Sequence, residues 1–97
     1  MQIITTSDGS HSVYSQQFDE AYHSSFGAMQ EAEYIFINKG VLYTAKTSLQ
    51  VLEIGFGTGL NAFLTSIYGC NLSIYYTGIE RFPLSVEEAS LLNYASF

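Results

Sequence analysis

Between Glu53 and Gly59 the run "EIGFGTG" sets one carboxylate and three glycines, Gly55, Gly57 and Gly59, at alternate positions. Glycines so placed behind an apolar strand let the backbone turn sharply, leave room for a ligand, and allow the next helix to close on the strand. A second acid, Glu80, follows the last glycine by roughly 20 residues, the interval at which a carboxylate accepts hydrogen bonds from ribose hydroxyls. An adenosine-type ligand satisfies both features. Taken alone, the glycines could make a plain tight turn and Glu80 a solvated strand end; each gains meaning from the other.

The kind of ligand turns on detail. A dinucleotide fingerprint, G-x-G-x-x-G, leaves space for a pyrophosphate. Here the third glycine comes one position early, and Leu60 stands where the fingerprint needs it. Glu53 would set negative charge beside a pyrophosphate. It suits instead a ligand bearing an ammonium group, such as the methionine end of S-adenosylmethionine.

Elements must hold these residues in place. Short β-prone runs at Ile3 to Thr6 and Ser12 to Ser15, with Asp8-Gly9 between them, predict a hairpin in which Asp-Gly supplies the positive φ angles of a tight turn. Ala28, Ala32, Ile35 and Phe36 then recur at helical spacing, predicting a helix from about Phe26 to Asn38, capped by Ser24 or Ser25 and stopped by Lys39-Gly40. A strand near Gln50 to Ile54, a helix in "GLNAFLTSIYG" ending at Gly69, and a strand in "NLSIYYTGIE" closing on Glu80 follow. A further helix is expected in "FPLSVEEASLLNYA", with Pro83 close to its first turn. Strand, glycine turn, helix, strand is a β-α-β unit, so the fold class is α/β with a parallel, doubly wound sheet.

Composition narrows the rest. In 97 residues, 47% are hydrophobic and 12% charged, a core-forming sequence. Three basic residues against nine acidic ones give a net charge of −6, so steering of nucleic acid by a basic face has no support here. Cys70 stands alone and is expected as a buried reduced thiol; His11 and His23 stand apart, and no metal site is expected. With no leader pattern and no apolar run of roughly 18 residues, the chain reads as soluble and cytoplasmic, with no membrane contact.

"FDEAYHSSFGAMQEAEYIFINKG", "VLEIGFGTGLNAFLT" and "YYTGIERFPL" resemble the successive N-terminal motifs of the methyltransferase family that completes 5-methylaminomethyl-2-thiouridine at the tRNA wobble position, a DUF752-type, class I S-adenosylmethionine-dependent family. The resemblance covers most of residues 8–97 and implies the N-terminal portion of a Rossmann-like class I methyltransferase fold: hairpin, helix, then β-α-β and the start of a further helix. It implies methyl transfer from S-adenosylmethionine to the amine of 5-aminomethyl-2-thiouridine 34, with tRNA held by parts outside this chain. By residue, it puts Glu53, Gly55, Gly57 and Gly59 in the cofactor loop, Asn61 at the start of its helix, and Glu80 on the ribose. The family's catalytic acid follows a later strand, beyond Phe97, so the isolated chain is expected to be inactive. "DEAYHS" also resembles the stretch ahead of the cofactor loop in spermidine-synthase-like aminopropyltransferases, which makes Tyr22, His23 and Ser24 candidate pocket residues, with Glu31 in reach of the same pocket.

Residues 1–47 are accordingly expected to form a hairpin and helix preceding the cofactor domain, and residues 48–97 the first part of that domain, with the chain read as the N-terminal portion of a longer polypeptide. An incomplete sheet would leave an apolar edge that favours self-association. A non-catalytic binding fragment and an aminopropyltransferase or small-molecule methyltransferase on the same fold stay open as alternatives, since fold does not fix substrate.

Overall fold

A computed structural model describes residues 2–96; Met1 and Phe97 lie outside the described residues. The chain opens with a three-stranded antiparallel sheet in which β1 (Gln2–Thr5) pairs with β2 (His11–Ser15), and β2 with β3 (Glu20–Ala21). The expected hairpin forms, but its turn differs from the two-residue form. Thr6 N–H donates to the Ser10 carbonyl at 2.9 Å, and of Asp8 and Gly9 only Gly9 has positive φ, at 86°. Three residues, Ser7, Asp8 and Gly9, thus lie between the bonded pair Thr6 and Ser10, with glycine in the left-handed position that such loops require.

That geometry frees Asp8 to cap the next element. Helix α1 (Ala28–Ala32) starts after Gly27 with no side-chain cap from its own N-cap residue. Its orphan amides are met by the hairpin: Ala28 N–H donates to Thr6 Oγ1 at 3.1 Å, Met29 N–H to Ser10 Oγ at 2.9 Å, and Gln30 N–H to Asp8 Oδ2 at 2.9 Å. Ser24 and Ser25, expected as caps, do not serve, because the hairpin delivers three acceptors at once; Ser24 Oγ instead accepts from Phe26 N–H ahead of the helix. Burial pushes the Asp8 carboxyl upward, but hydrogen bonds from Ser10, Gln30 and Thr6 outweigh it and hold the pKa at about 2.

From Glu33 to Val41 the helix continues with π geometry, and Leu42 N–H donates to the Ile37 carbonyl at 2.9 Å. The buried positions run Ala28, Ala32, Ile37, so the step lengthens by one residue where α gives way to π. This shift corrects two expectations. Ile35 and Phe36, assigned to the buried face by regular helical spacing, are each 48% exposed, while Ile37 is fully buried. Gly40, assigned as part of a stop, lies inside the helix.

The second half is the β-α-β unit. Strand β4 (Ser48–Ile54) leads through the glycine turn to α2 (Leu60–Tyr68), and β5 (Ser73–Ile79) returns parallel to β4, with Val51 opposite Tyr76 and Glu53 opposite Gly78. Helix α2 ends at Gly69 as expected, although its φ of −97° is ordinary; a Cβ there would lie 2.7 Å from the Thr65 carbonyl oxygen as well as 2.5 Å from Ile74 Cδ1, and the fixed backbone contact is what favours glycine. The next residue, Cys70, is exposed rather than buried, because it follows the helix end on a turn.

One core unites both halves: Ala28, Met29, Ala32 and Ile37 pack with Leu60, Leu64 and Tyr94. The opposite face of the sheet is bare, with Leu52 63%, Ile54 73% and Tyr75 73% exposed. Among the described residues β4 pairs along one edge only.

The helix expected after Phe82 is shorter than its sequence pattern suggests, and a 3-10 turn at Tyr94–Ser96 follows it. Helix α3 spans Val86–Ser90 behind a capping box in which Ser85 Oγ accepts from Glu88 N–H at 3.0 Å and Glu88 Oε1 accepts from Ser85 N–H at 3.1 Å. Pro83 therefore lies ahead of the cap, outside the first turn. Past Ser90 the chain leaves the helix and turns toward the hairpin. Asn93 Oδ1 accepts from His11 N–H and its Nδ2 donates to the Gly9 carbonyl, both at 2.9 Å. No helix among the described residues is long and apolar enough to cross a membrane.

Candidate functional site

The glycine turn carries its conformation in three positions that only glycine adopts without strain: φ is 82° at Gly55, 57° at Gly57 and 81° at Gly59. Gly55 and Phe56 donate their N–H groups to the Ile79 carbonyl at 2.8 and 3.0 Å, which ties the turn to the end of β5. A Cβ at Gly55 would meet nothing within 4 Å, so this position opens on free space. At Gly57 a Cβ would lie 3.0 Å from the Tyr22 ring, which packs against the loop from the N-terminal sheet.

Glu80 closes the loop from below. Its Oε1 accepts from Gly57 N–H at 2.7 Å and its Oε2 from Phe82 N–H at 3.1 Å. Glu53, half-buried at the end of β4, accepts from Asn61 Nδ2 at 2.6 Å and from the Tyr76 hydroxyl at 2.7 Å. The Asn61 amide is oriented by that bond, since only its nitrogen can donate to a carboxylate, and its buried Oδ1 has no partner.

These groups border one cavity of about 870 Å³. The expected residues Tyr22, His23, Glu31, Glu53, Gly55, Gly57, Asn61 and Glu80 all line it. Two others do not: Gly59 lies behind the Phe56 ring, which a Cβ at that position would approach to 3.0 Å, and Ser24 faces a neighbouring depression with Phe26 and Gln30. The cavity's acidic lining is Glu20, Glu31, Glu53 and Glu80, and among the described residues no Lys or Arg borders it. Helix α2, whose N-cap Gly59 has φ of 81°, starts at this loop without a side-chain cap.

Burial lowers the pKa of His23 below the usual histidine value, with Glu31 and Glu53 opposing the effect. The ring is therefore neutral near pH 7. Its Nδ1 lies 3.3 Å from Ser12 Oγ, which also accepts from His23 N–H at 3.0 Å. Burial, then Glu53, raises Tyr76 far above the ordinary phenol range, and burial, then Glu80 and Glu88, raises Tyr22.

Tyr76, Phe18, Phe36 and Glu20 also border the cavity and were not singled out by motif. The parallel register that sets Tyr76 opposite Val51 decides its place, and no residue pattern within one strand specifies that register. Among the described residues no group of three or more His, Cys, Asp and Glu is gathered to hold a metal ion.

A parallel β-α-β unit with a glycine turn after its first strand and an acid after its second is a partial Rossmann-like fold of the α/β class. The chain resembles the N-terminal part of the MnmC family. The tRNA 5-methylaminomethyl-2-thiouridine biosynthesis bifunctional protein MnmC of Leptospira interrogans is 37% identical over 87 residues, which is 78% of this chain and 13% of that protein. The MnmC proteins of Pseudoalteromonas atlantica and Actinobacillus pleuropneumoniae are 33% and 31% identical, over 70% and 86% of this chain and 12% and 15% of theirs. In three dimensions the chain superimposes on MnmC2 from Aquifex aeolicus with a TM-score of 0.77 at 27% identity, covering 87% of this chain and 30% of that one. This chain thus spans about 13% of the length of the first of these curated relatives. No protein-family model matches it.

Proposed function

We propose that this chain contributes the first part of an S-adenosylmethionine site in a methyltransferase of tRNA wobble-uridine modification, one that converts the amine of 5-aminomethyl-2-thiouridine 34 to 5-methylaminomethyl-2-thiouridine. The observation that carries the reading is the cavity lining: four carboxylates and, among the described residues, no Lys or Arg. A pyrophosphate would enter such a cavity against repulsion, whereas a ligand bearing an ammonium group and a sulfonium is attracted.

The residues fit that ligand. Open space over Gly55 admits it, Glu80 offers lone pairs to ribose hydroxyls beyond those used by Gly57 and Phe82, and Glu53 offers charge to the ammonium. The unpartnered Asn61 Oδ1 leaves the Glu53 region short of one donor. S-adenosylmethionine, when bound, supplies an electrophilic methyl group on its sulfonium. This chain's own residues bind and orient: Tyr22 walls the loop, and His23 and Glu31 border the same space. The proton acceptor for the amine is assigned to no residue here, and tRNA is assigned to parts outside this chain, in keeping with the net charge of −6. Residues 1–47 then serve as a wall and residues 48–97 as the cofactor-binding unit.

Titration calorimetry tests the reading. Binding of S-adenosylhomocysteine with no binding of NAD is the expected result. Binding of NAD with none of S-adenosylhomocysteine would overturn it.

A further inference from the structure

Glu53 is held by neutral donors alone, Tyr76 on one oxygen and Asn61 on the other, at 2.7 and 2.6 Å. Among the described residues no Lys or Arg borders the cavity to share in this. The sheet register explains how the phenol arrives there. Val51 and Glu53 lie on one face of β4, opposite Tyr76 and Gly78 of β5. Because Gly78 has no side chain, the strand position facing Glu53 is vacant, and the Tyr76 ring reaches diagonally along the same face. The Phe56 ring fills the rest of that vacancy, so closely that a Cβ on Gly78 would lie 2.3 Å from it.

A carboxylate at a strand end has two side-chain torsions free to swing it toward solvent. Two short bonds from different elements, one from α2 and one from β5, remove that freedom and leave each oxygen with a further lone pair. We propose that Tyr76 is a positioning residue which, together with Asn61, fixes the Glu53 carboxylate toward the cavity to receive the ammonium group of an amino-acid-bearing nucleoside. The inference rests on the cavity's assignment to such a nucleoside and adds the residue that decides selectivity for its amino-acid end. Tyr76 keeps its proton throughout the neutral range, because burial and the neighbouring carboxylate both oppose ionisation.

The test compares two ligands on the full chain by titration calorimetry: S-adenosylhomocysteine, which carries the ammonium, and 5′-methylthioadenosine, which carries the same nucleoside without it. Tyr76→Phe, which removes only the hydroxyl, is expected to weaken S-adenosylhomocysteine about tenfold and to leave methylthioadenosine unchanged. Glu53→Gln, as a second variant, is expected to show the same ligand-selective loss while Tyr76 keeps a carbonyl oxygen to donate to. Equal loss for both ligands in Tyr76→Phe, or no loss for either, overturns the role of Tyr76 and leaves the cavity's assignment standing. If Tyr76→Phe fails to fold, an unselective Glu53→Gln decides against the proposal. Failure of the unaltered chain to bind either nucleoside overturns the assignment and the role together.

Discussion

Tyr94 donates its hydroxyl to Thr58 Oγ1 at 2.9 Å, so the end of the described chain grips the middle of the glycine loop. Both residues are buried, and Tyr94 also belongs to the core shared by α1, the π segment and α2. Removing the hydroxyl leaves the Thr58 oxygen without that donor in a dry site. Tyr94→Phe is expected to lower stability by about 1–2 kcal/mol. Urea unfolding should show a lower midpoint with unchanged slope; an unchanged midpoint would mean that the contact contributes nothing.

Two glycines near the loop should fail in opposite ways when changed to alanine. At Gly55, with φ of 82° and open space around it, the methyl would intrude on the cavity. Gly55→Ala is expected to cost about 1 kcal/mol of stability through backbone strain, and about tenfold in S-adenosylhomocysteine affinity. At Gly78 the backbone is ordinary but a Cβ would lie 2.3 Å from Phe56 Cδ2. Gly78→Ala should therefore cost stability first, about 1–3 kcal/mol, by forcing the Phe56 ring aside. Thermal unfolding and calorimetry on both variants distinguish the cases, and matching profiles would contradict the assignment.

Stability should fall with pH in two separable stages. His23 has a folded pKa below its ordinary 6.5 through burial, so the folded state prefers the neutral ring; its contribution is full above 6.5 and is lost as pH drops through the folded value. Asp8 has a folded pKa of about 2 against 3.8 unfolded, so its contribution is full above 3.8 and disappears toward 2. Relative to the unaltered chain, His23→Gln should flatten the first stage alone and Asp8→Asn the second alone. Urea midpoints measured across pH would show it, and overlapping curves for either variant would refute that assignment.

The uncovered face of the β4–β5 sheet, with Leu52, Ile54, Tyr75 and Ile79 exposed, is expected to drive association as concentration rises. Light scattering should report growing mass, and Ile54→Lys should reduce it. A monodisperse monomer across the concentration series would run against this expectation.

How far residue patterns carry the reading depends on how local the cause is. The β-α-β order and the place of the glycine loop follow from spacing within one stretch, and they appear where expected, whereas the bond from Gly57 N–H to Glu80 is a contact that spacing alone does not announce. The cap of α1 does not follow so simply, because its acceptors come from Thr6, Asp8 and Ser10 in a different element. Asp8-Gly9 carries a turn signal, yet Asp8 is needed at the helix, and the loop takes an extra residue to release it. Tyr76 is invisible to motif reading for a similar reason: its partner, Glu53, lies across a parallel register. The short α3 could have been read from Ser85 and Glu88, whose spacing is that of a capping box.

The π geometry between Glu33 and Val41 acts as a phase shift in the helix. By inserting one extra residue into the turn, it rotates Ile37 into the core and leaves Phe36 lining the cavity. Deleting a single residue there would restore ordinary pitch, carry the aromatic ring away from the cavity and pull an aliphatic side chain out of the interior. A change far from the glycine loop would thereby reshape the ligand cavity and the packing beneath it in one stroke.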